Sequence, residues 1–224
     1  MAIVNRNEVY ADLKRRVLTL ELPPGANLDE TRISEEYGIS RTPLRDILRE
    51  LAGEGYVDIV GNRGASVSSM NHKMLRDFFR TAPAVYSMVA RLAVQNAEPA
   101  SLRELKSSQR SFARAARAAR VDDLVTHNER FHALIGEMAD NQYLRPTLQR
   151  LLIDHSRIAQ TFYQKRNAER GDRLARAVRQ HDQMIEAIEH GDEEGIVEVT
   201  LAHWELSRSQ ADIFVRADPL ELDA

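Results

Sequence analysis

Apolar positions along the chain follow two different periods. Val9, Leu13, Val17 and Leu20 recur at helical spacing until Leu22-Pro23-Pro24-Gly25 stops the run. Leu28 to Tyr37 reads as a second short helix closed by Gly38, and Ser40 with Pro43 opens a third whose buried face is Leu44, Ile47, Leu48 and Leu51. After Gly55 the pattern changes. Tyr56-Val57-Asp58-Ile59-Val60 and Ala65-Ser66-Val67 flank Gly61-Asn62-Arg63-Gly64, which predicts a two-stranded hairpin with a glycine-bounded tip. Three short helices and a hairpin make a winged helix-turn-helix over residues 1–70; a small α+β domain with no nucleic-acid role would show the same pattern.

From Asn71 the helical period takes over. Six helices are expected, at 72–96, 99–120, 121–139, 142–165, 168–190 and 192–216, with Pro99 in a first turn, Asn141 as a cap, and Gly171 and Gly191 at joints. The predicted class is therefore mainly α: the N-terminal winged helix, then an all-α six-helix bundle over residues 71–224, joined by a short polar connector at Ser68 to Asn71.

Composition narrows the chemistry. With 224 residues, 43% of them hydrophobic, the chain can bury a real core. No cysteine is present, so disulfides, thiolate metal sites and cysteine nucleophiles are excluded. The start, Met1 to Tyr10, is polar and no apolar run is long enough for a bilayer, so a cytoplasmic setting without membrane contact is expected. The net charge is −3, and residues 1–70 hold nine Lys or Arg against eleven Asp or Glu. Affinity for nucleic acid then has to come from a local basic group.

The third helix supplies one. Arg41, Arg45 and Arg49 lie four apart and share a face opposite the leucines, where guanidinium groups can meet guanine edges or phosphates in a major groove; Arg63 at the wing tip would reach the adjacent minor groove or backbone. A solvated arginine stripe paired with Asp46 and Glu50 is the plainer alternative. A second basic stripe, Arg103, Lys106, Arg110, Arg114 and Arg117, reads as a solvated face, with contact to flanking DNA as the sharper reading.

The bundle carries a different signal. His132, His181 and His203 each sit mid-helix on an inward apolar stripe, and Asn128, one turn before His132, points the same way. Burying one imidazole is ordinary. Burying three on three helices without partners costs roughly 1–3 kcal/mol each, whereas one shared cation satisfies them together. Three neutral imidazoles and an amide suit Zn²⁺ or Ni²⁺ and leave the ion's charge uncompensated, which favours an anionic ligand such as a small carboxylate effector.

These residues carry two resemblances. Leu28-Asp29-Glu30, Gly38-Ile39-Ser40-Arg41-Thr42-Pro43-Leu44-Arg45, Leu51, Glu54-Gly55-Tyr56 and Arg63-Gly64 resemble the DNA-binding domain of GntR-type bacterial transcription regulators. That resemblance implies contacts to operator DNA from Arg41, Thr42 and Arg45, from Thr31 or Arg32 on the second helix, and from Asn62, Arg63 and Gly64 on the wing. It also implies homodimers on palindromic half-sites. Residues 72–216 resemble the FCD effector domain of the FadR-like subgroup, in which an Asp or Asn, a His four later and two further histidines bind a divalent metal. Here those are Asn128, His132, His181 and His203. The resemblance also implies that Arg80 on the first bundle helix holds an organic acid, with a surface arginine beside Asp77 as the plainer reading; Pro83-Ala84 replaces the usual Leu-Glu and should kink that helix. The expected function is a ligand-responsive DNA-binding regulator, more often a repressor. The alternative is a metal-dependent hydrolase or lyase using the three histidines.

Overall fold

The structure is a computed structural model that describes residues 5–59, 61, 64–164 and 168–208. Among these residues the order is α1 (Arg6–Leu18), β1 (Asn27–Leu28), α2 (Glu30–Tyr37), α3 (Arg41–Glu54), β2 (Val57–Ile59), β3 (Ala65–Val67), then α4 (His72–Gln95), α5 (Pro99–Ala118), α6 (Val121–Met138), α7 (Leu144–Gln164), α8 (Ala168–His190) and α9 (Glu193–Arg208). The mainly α class and the winged helix followed by a helical bundle are as expected.

Local chemistry sets the helix ends. Asn5 and Glu8 form a capping box at the start of α1. Asp29 accepts from the amides of Thr31 and Arg32 to start α2, and Gly38 ends it at φ 66°. Ser40 caps α3 through its backbone only, because its hydroxyl makes no capping hydrogen bond. Leu44, Ile47, Leu48 and Leu51 face inward from α3 and pack with Val9, Leu13 and Val17 of α1. Hydrogen bonds from Tyr37 and from Arg16 further tie α1 to α2.

Two expectations need correction. Leu28 does not begin α2 but lies in β1, which pairs antiparallel with β3, so the expected hairpin is a three-stranded sheet of order β1-β3-β2. The carboxylate of Asp29 caps the helix one residue later, which frees Leu28 to bury its side chain from the strand. Gly171 lies inside α8 rather than at a joint, a position where glycine is tolerated at a cost of about 1 kcal/mol against alanine. Pro83 lies inside α4, which spans His72–Gln95 without the amide donor that a proline lacks.

Two apolar clusters organise the molecule, and α7 contributes to both. Leu148, Leu152 and Ile158 join the bundle core with Phe78, Val89, Leu134 and Trp204. Ile153, Ala159 and Tyr163 join the cluster that holds the winged-helix core. Helix α7 is packed against α6 closely enough that a Cβ on Gly136 would collide with Leu148 Cδ2.

Candidate metal centre and nucleic-acid interface

Helix α6 brings Asn128 and His132 to one face, α8 brings His181 and α9 brings His203. One ligand atom from each histidine lies within 4.8 Å of the others, and all four side chains are buried. The four residues singled out from sequence are thus inward-facing in the bundle, with the three histidines converging on one point.

Their hydrogen bonds settle which nitrogen is available. Gln109 on α5 donates through Nε2 to Val178 O and Asp182 Oδ1, each at 2.9 Å, so its Oε1 is the acceptor for Nδ1–H of His181 at 3.0 Å. Gln180 does the same for His203, with Oε1 accepting from Nδ1 at 3.1 Å. His181, and His203 with Gln180 oriented as it is, are thereby held in the tautomer whose Nε2 carries a lone pair. Among the described residues, His181 Nε2, His132 Nε2 and Asn128 Oδ1 are buried with no hydrogen-bond partner. Burial, followed by the neighbouring histidines, holds His132 and His181 well below the usual imidazole pKa and His203 at about 3. All three are neutral at pH 7, the form in which imidazole binds a cation. The donor set fits a divalent metal: leaving those buried atoms unsatisfied would cost roughly 1–3 kcal/mol each.

A fourth histidine joins them. His155 on α7 is buried, its ring centroid lies 5.2 Å from that of His132, and its Nδ1 shares a 2.9 Å hydrogen bond with the hydroxyl of Tyr86 on α4. Burial lowers its pKa to about 4. Sequence reasoning missed it, although Leu148, Leu152 and Ile158 surround it with the same inward helical period. Gln109 and Gln180 were missed as well.

Arg80 stands apart from the histidine cluster. It is exposed on α4, its charge acts on Asp77, and it does not figure among the charges that act on the histidines. The helix rotation that buries Phe78 and Ala82 turns residue 80 outward.

At the other end, α2, α3 and the wing strands enclose a cleft of about 580 Å³ lined by Thr31, Arg41, Arg45, Arg49 and Gly64 together with Glu30. Arg32 and Thr42 are exposed beside it. Arg41 donates to Thr31 Oγ1 at 2.7 Å, Arg45 to Glu30 at 2.8 Å and Arg49 to Asp46 at 2.7 Å. Glu50 pairs with Arg6 rather than with the arginine stripe. Asn62 and Arg63, assigned to the wing tip from sequence, lie outside the described residues. On the second basic stripe Lys106 is paired with Glu189, while Arg103, Arg110, Arg114 and Arg117 are exposed.

Comparison with known proteins agrees with both halves. Residues 5–67 match the family described as bacterial regulatory proteins, gntR family, and residues 78–206 match the FCD domain. The HTH-type transcriptional regulator YdhC of Bacillus subtilis is 23% identical over 201 residues, covering 88% of this chain and 86% of that protein. The HTH-type transcriptional repressor RspR of Escherichia coli is 26% identical over 144 residues, 64% of this chain and 63% of that one. The solved structure of E. coli McbR/YncC has the same fold, with a TM-score of 0.75 at 22% identity over 94% of this chain and 97% of that one. These relatives are transcription regulators rather than enzymes, which removes the hydrolase or lyase alternative. The chain belongs to the GntR family of bacterial transcription regulators and carries an FCD effector domain behind its winged helix.

Proposed function

We propose that this regulator is a repressor, acting as a cytoplasmic homodimer on palindromic operator DNA, whose helical domain binds a divalent metal and a small carboxylate effector. Residues 1–70 form the DNA-binding unit and 71–224 the effector and dimerisation unit. Thr31, Arg32, Arg41, Thr42, Arg45, Arg49, Asn62, Arg63 and Gly64 contact DNA. The repressor sign rests on the printed name of RspR.

The observation that carries the metal reading is the convergence of unpartnered, buried donors. Asn128 Oδ1 and His181 Nε2 have lone pairs and no proton to accept, His132 Nε2 is buried beside them without a partner, and His203 belongs to the same cluster. Asn128, His132, His181 and His203 would hold Zn²⁺ or Ni²⁺, with Gln109 and Gln180 orienting two of the imidazoles. The bound ion supplies a positive charge that these four neutral donors do not cancel, which is the reason for an anionic effector.

The test uses full-length protein stripped with a chelator and duplexes that the protein itself selects from a random library. Gel shifts are run with and without Zn²⁺ and a panel of small carboxylic acids. The reading expects retention of the selected duplex to change with Zn²⁺ and again with at least one acid. Unchanged binding under every condition contradicts it.

A further inference from the structure

Helix α7 touches the DNA-binding unit through polar side chains as well as apolar ones. Arg157 is fully buried, and its guanidinium donates to Ser68 O at 2.8 Å and to the Ser68 hydroxyl, at the foot of the strand that leads into α4. Two turns earlier, Arg150 donates to Gly55 O at 2.5 Å, the C-cap of the recognition helix α3. One turn after Arg157, Gln160 donates to Thr19 O at 3.0 Å, the C-cap of α1. Ser68 N–H in turn donates to Tyr56 O at 3.0 Å. The two arginines therefore grip both sides of one hydrogen-bonded joint, where the recognition helix ends and the wing begins.

The acceptors are mostly backbone carbonyls, so the grip fixes position rather than reading side chains. It is also closely fitted. Gly55 has φ 91°, and a Cβ there would lie 2.7 Å from Arg150 Cδ. Arg157 keeps no exposed surface, and Asp154 on the same helix stands 3.9 Å away. Burying a guanidinium this completely is costly, and the Ser68 contacts offset part of that cost only while the two units stay in register.

Two residues before Arg157, the same helix carries His155, in ring contact with His132 and hydrogen-bonded to Tyr86. We propose that Arg157, together with Arg150, is a positioning residue that transmits the state of the histidine cluster through α7 to the base of the recognition helix and wing. The transmission rests on the metal reading above; the grip itself does not. A shift of α7 that accommodates an ion beside His132 moves Arg157 against Ser68, and the wing base tightens or loosens with it.

Hydrogen–deuterium exchange on the full chain tests this, with Zn²⁺ alone as the probe and calorimetry run in parallel. In the unaltered protein Zn²⁺ is expected to change exchange in residues 50–71 about fivefold or more, in line with typical coupling between sites. In Arg157→Met, Zn²⁺ binds as before but that response is lost. Ser68→Ala, which removes only a hydroxyl, gives a second reading should Arg157→Met not fold, and is expected to weaken the response. Zn²⁺ binding without any response in residues 50–71, or a response that survives in both variants, overturns the proposal. Absence of Zn²⁺ binding in calorimetry overturns it too, and identifies the metal reading as the step that failed.

Discussion

Gln109 on α5 and His181 on α8 share a 3.0 Å hydrogen bond that fixes the proton of His181 on Nδ1. Because the Gln109 amide nitrogen is already committed to Val178 O and Asp182, this orientation is set by the bundle and not by the imidazole. Gln109→Leu removes the acceptor and lets His181 change tautomer. Zn²⁺ affinity is expected to fall about 10- to 100-fold in calorimetry, the usual effect of losing a group that orients a metal ligand. Far-ultraviolet circular dichroism should stay that of the unaltered chain. Unchanged affinity would mean that His181 is not a ligand.

Asn128 tests the charge argument. Asn128→Asp places a carboxylate among the three histidines, and Zn²⁺ binding should strengthen by about 2 kcal/mol, the scale of an interaction with a charged group. Affinity for carboxylate effectors should fall at the same time, since the ion is then partly neutralised. If calorimetry finds both affinities unchanged, an anionic effector at the metal is contradicted.

Arg45 and Arg49 of the recognition helix are held by ion pairs and Arg41 by the Thr31 hydroxyl, contacts that the proposed DNA complex would have to exchange. Arg45 is paired with Glu30 at 2.8 Å, and both are accessible at the cleft. Glu30→Ala is expected to raise affinity for non-cognate duplex a few-fold, because an exposed pair is worth at most about 1 kcal/mol. Arg45→Ala should cost about 1–3 kcal/mol on the selected duplex and relax preference at one base position. Fluorescence anisotropy on matched and mismatched duplexes separates the two effects.

Acid sensitivity of the winged helix follows from Asp12. Burial raises its carboxyl pKa, but hydrogen bonds from Tyr37 and Arg15 and the charges of Arg15 and Arg16 outweigh burial and hold it below the usual value of 3.8. A depressed folded pKa means the stabilisation is present above the unfolded value and lost as pH falls through the folded one. The Asp12 side chain is 35% exposed, so solvent screening keeps the effect under about 1 kcal/mol. The gap in thermal midpoint between the unaltered chain and Asp12→Asn should therefore be visible at pH 7 and close as pH falls below the ordinary carboxyl value of 3.8. A gap independent of pH contradicts the ion-pair origin.

Much of this molecule is legible from periodicity alone, and the exceptions share a cause. The leucines of α3 and its three arginines fall on opposite faces because helical spacing places them there, and His132, His181 and His203 were visible as polar interruptions of apolar stripes. Strand β1 was not, because two residues have no period. Gln109 and Gln180 were invisible for another reason: a glutamine on a helix becomes a histidine's partner only when two helices pack in a particular register. His155 has the inward pattern of the other three, and periodicity alone does not tell a lone core histidine from one that joins a cluster. For Arg80 the sequence leaves two readings, an acid-binding residue or a surface arginine beside Asp77, and its side chain is exposed.

The central claim is that one divalent ion sits among Asn128, His132, His181 and His203. Native mass spectrometry of the full chain after exposure to Zn²⁺ and exhaustive buffer exchange tests it most directly. The expected result is one ion retained per chain, lost in His132→Ala/His181→Ala while helical content is preserved. No retained ion, or retention that survives the double substitution, would contradict it.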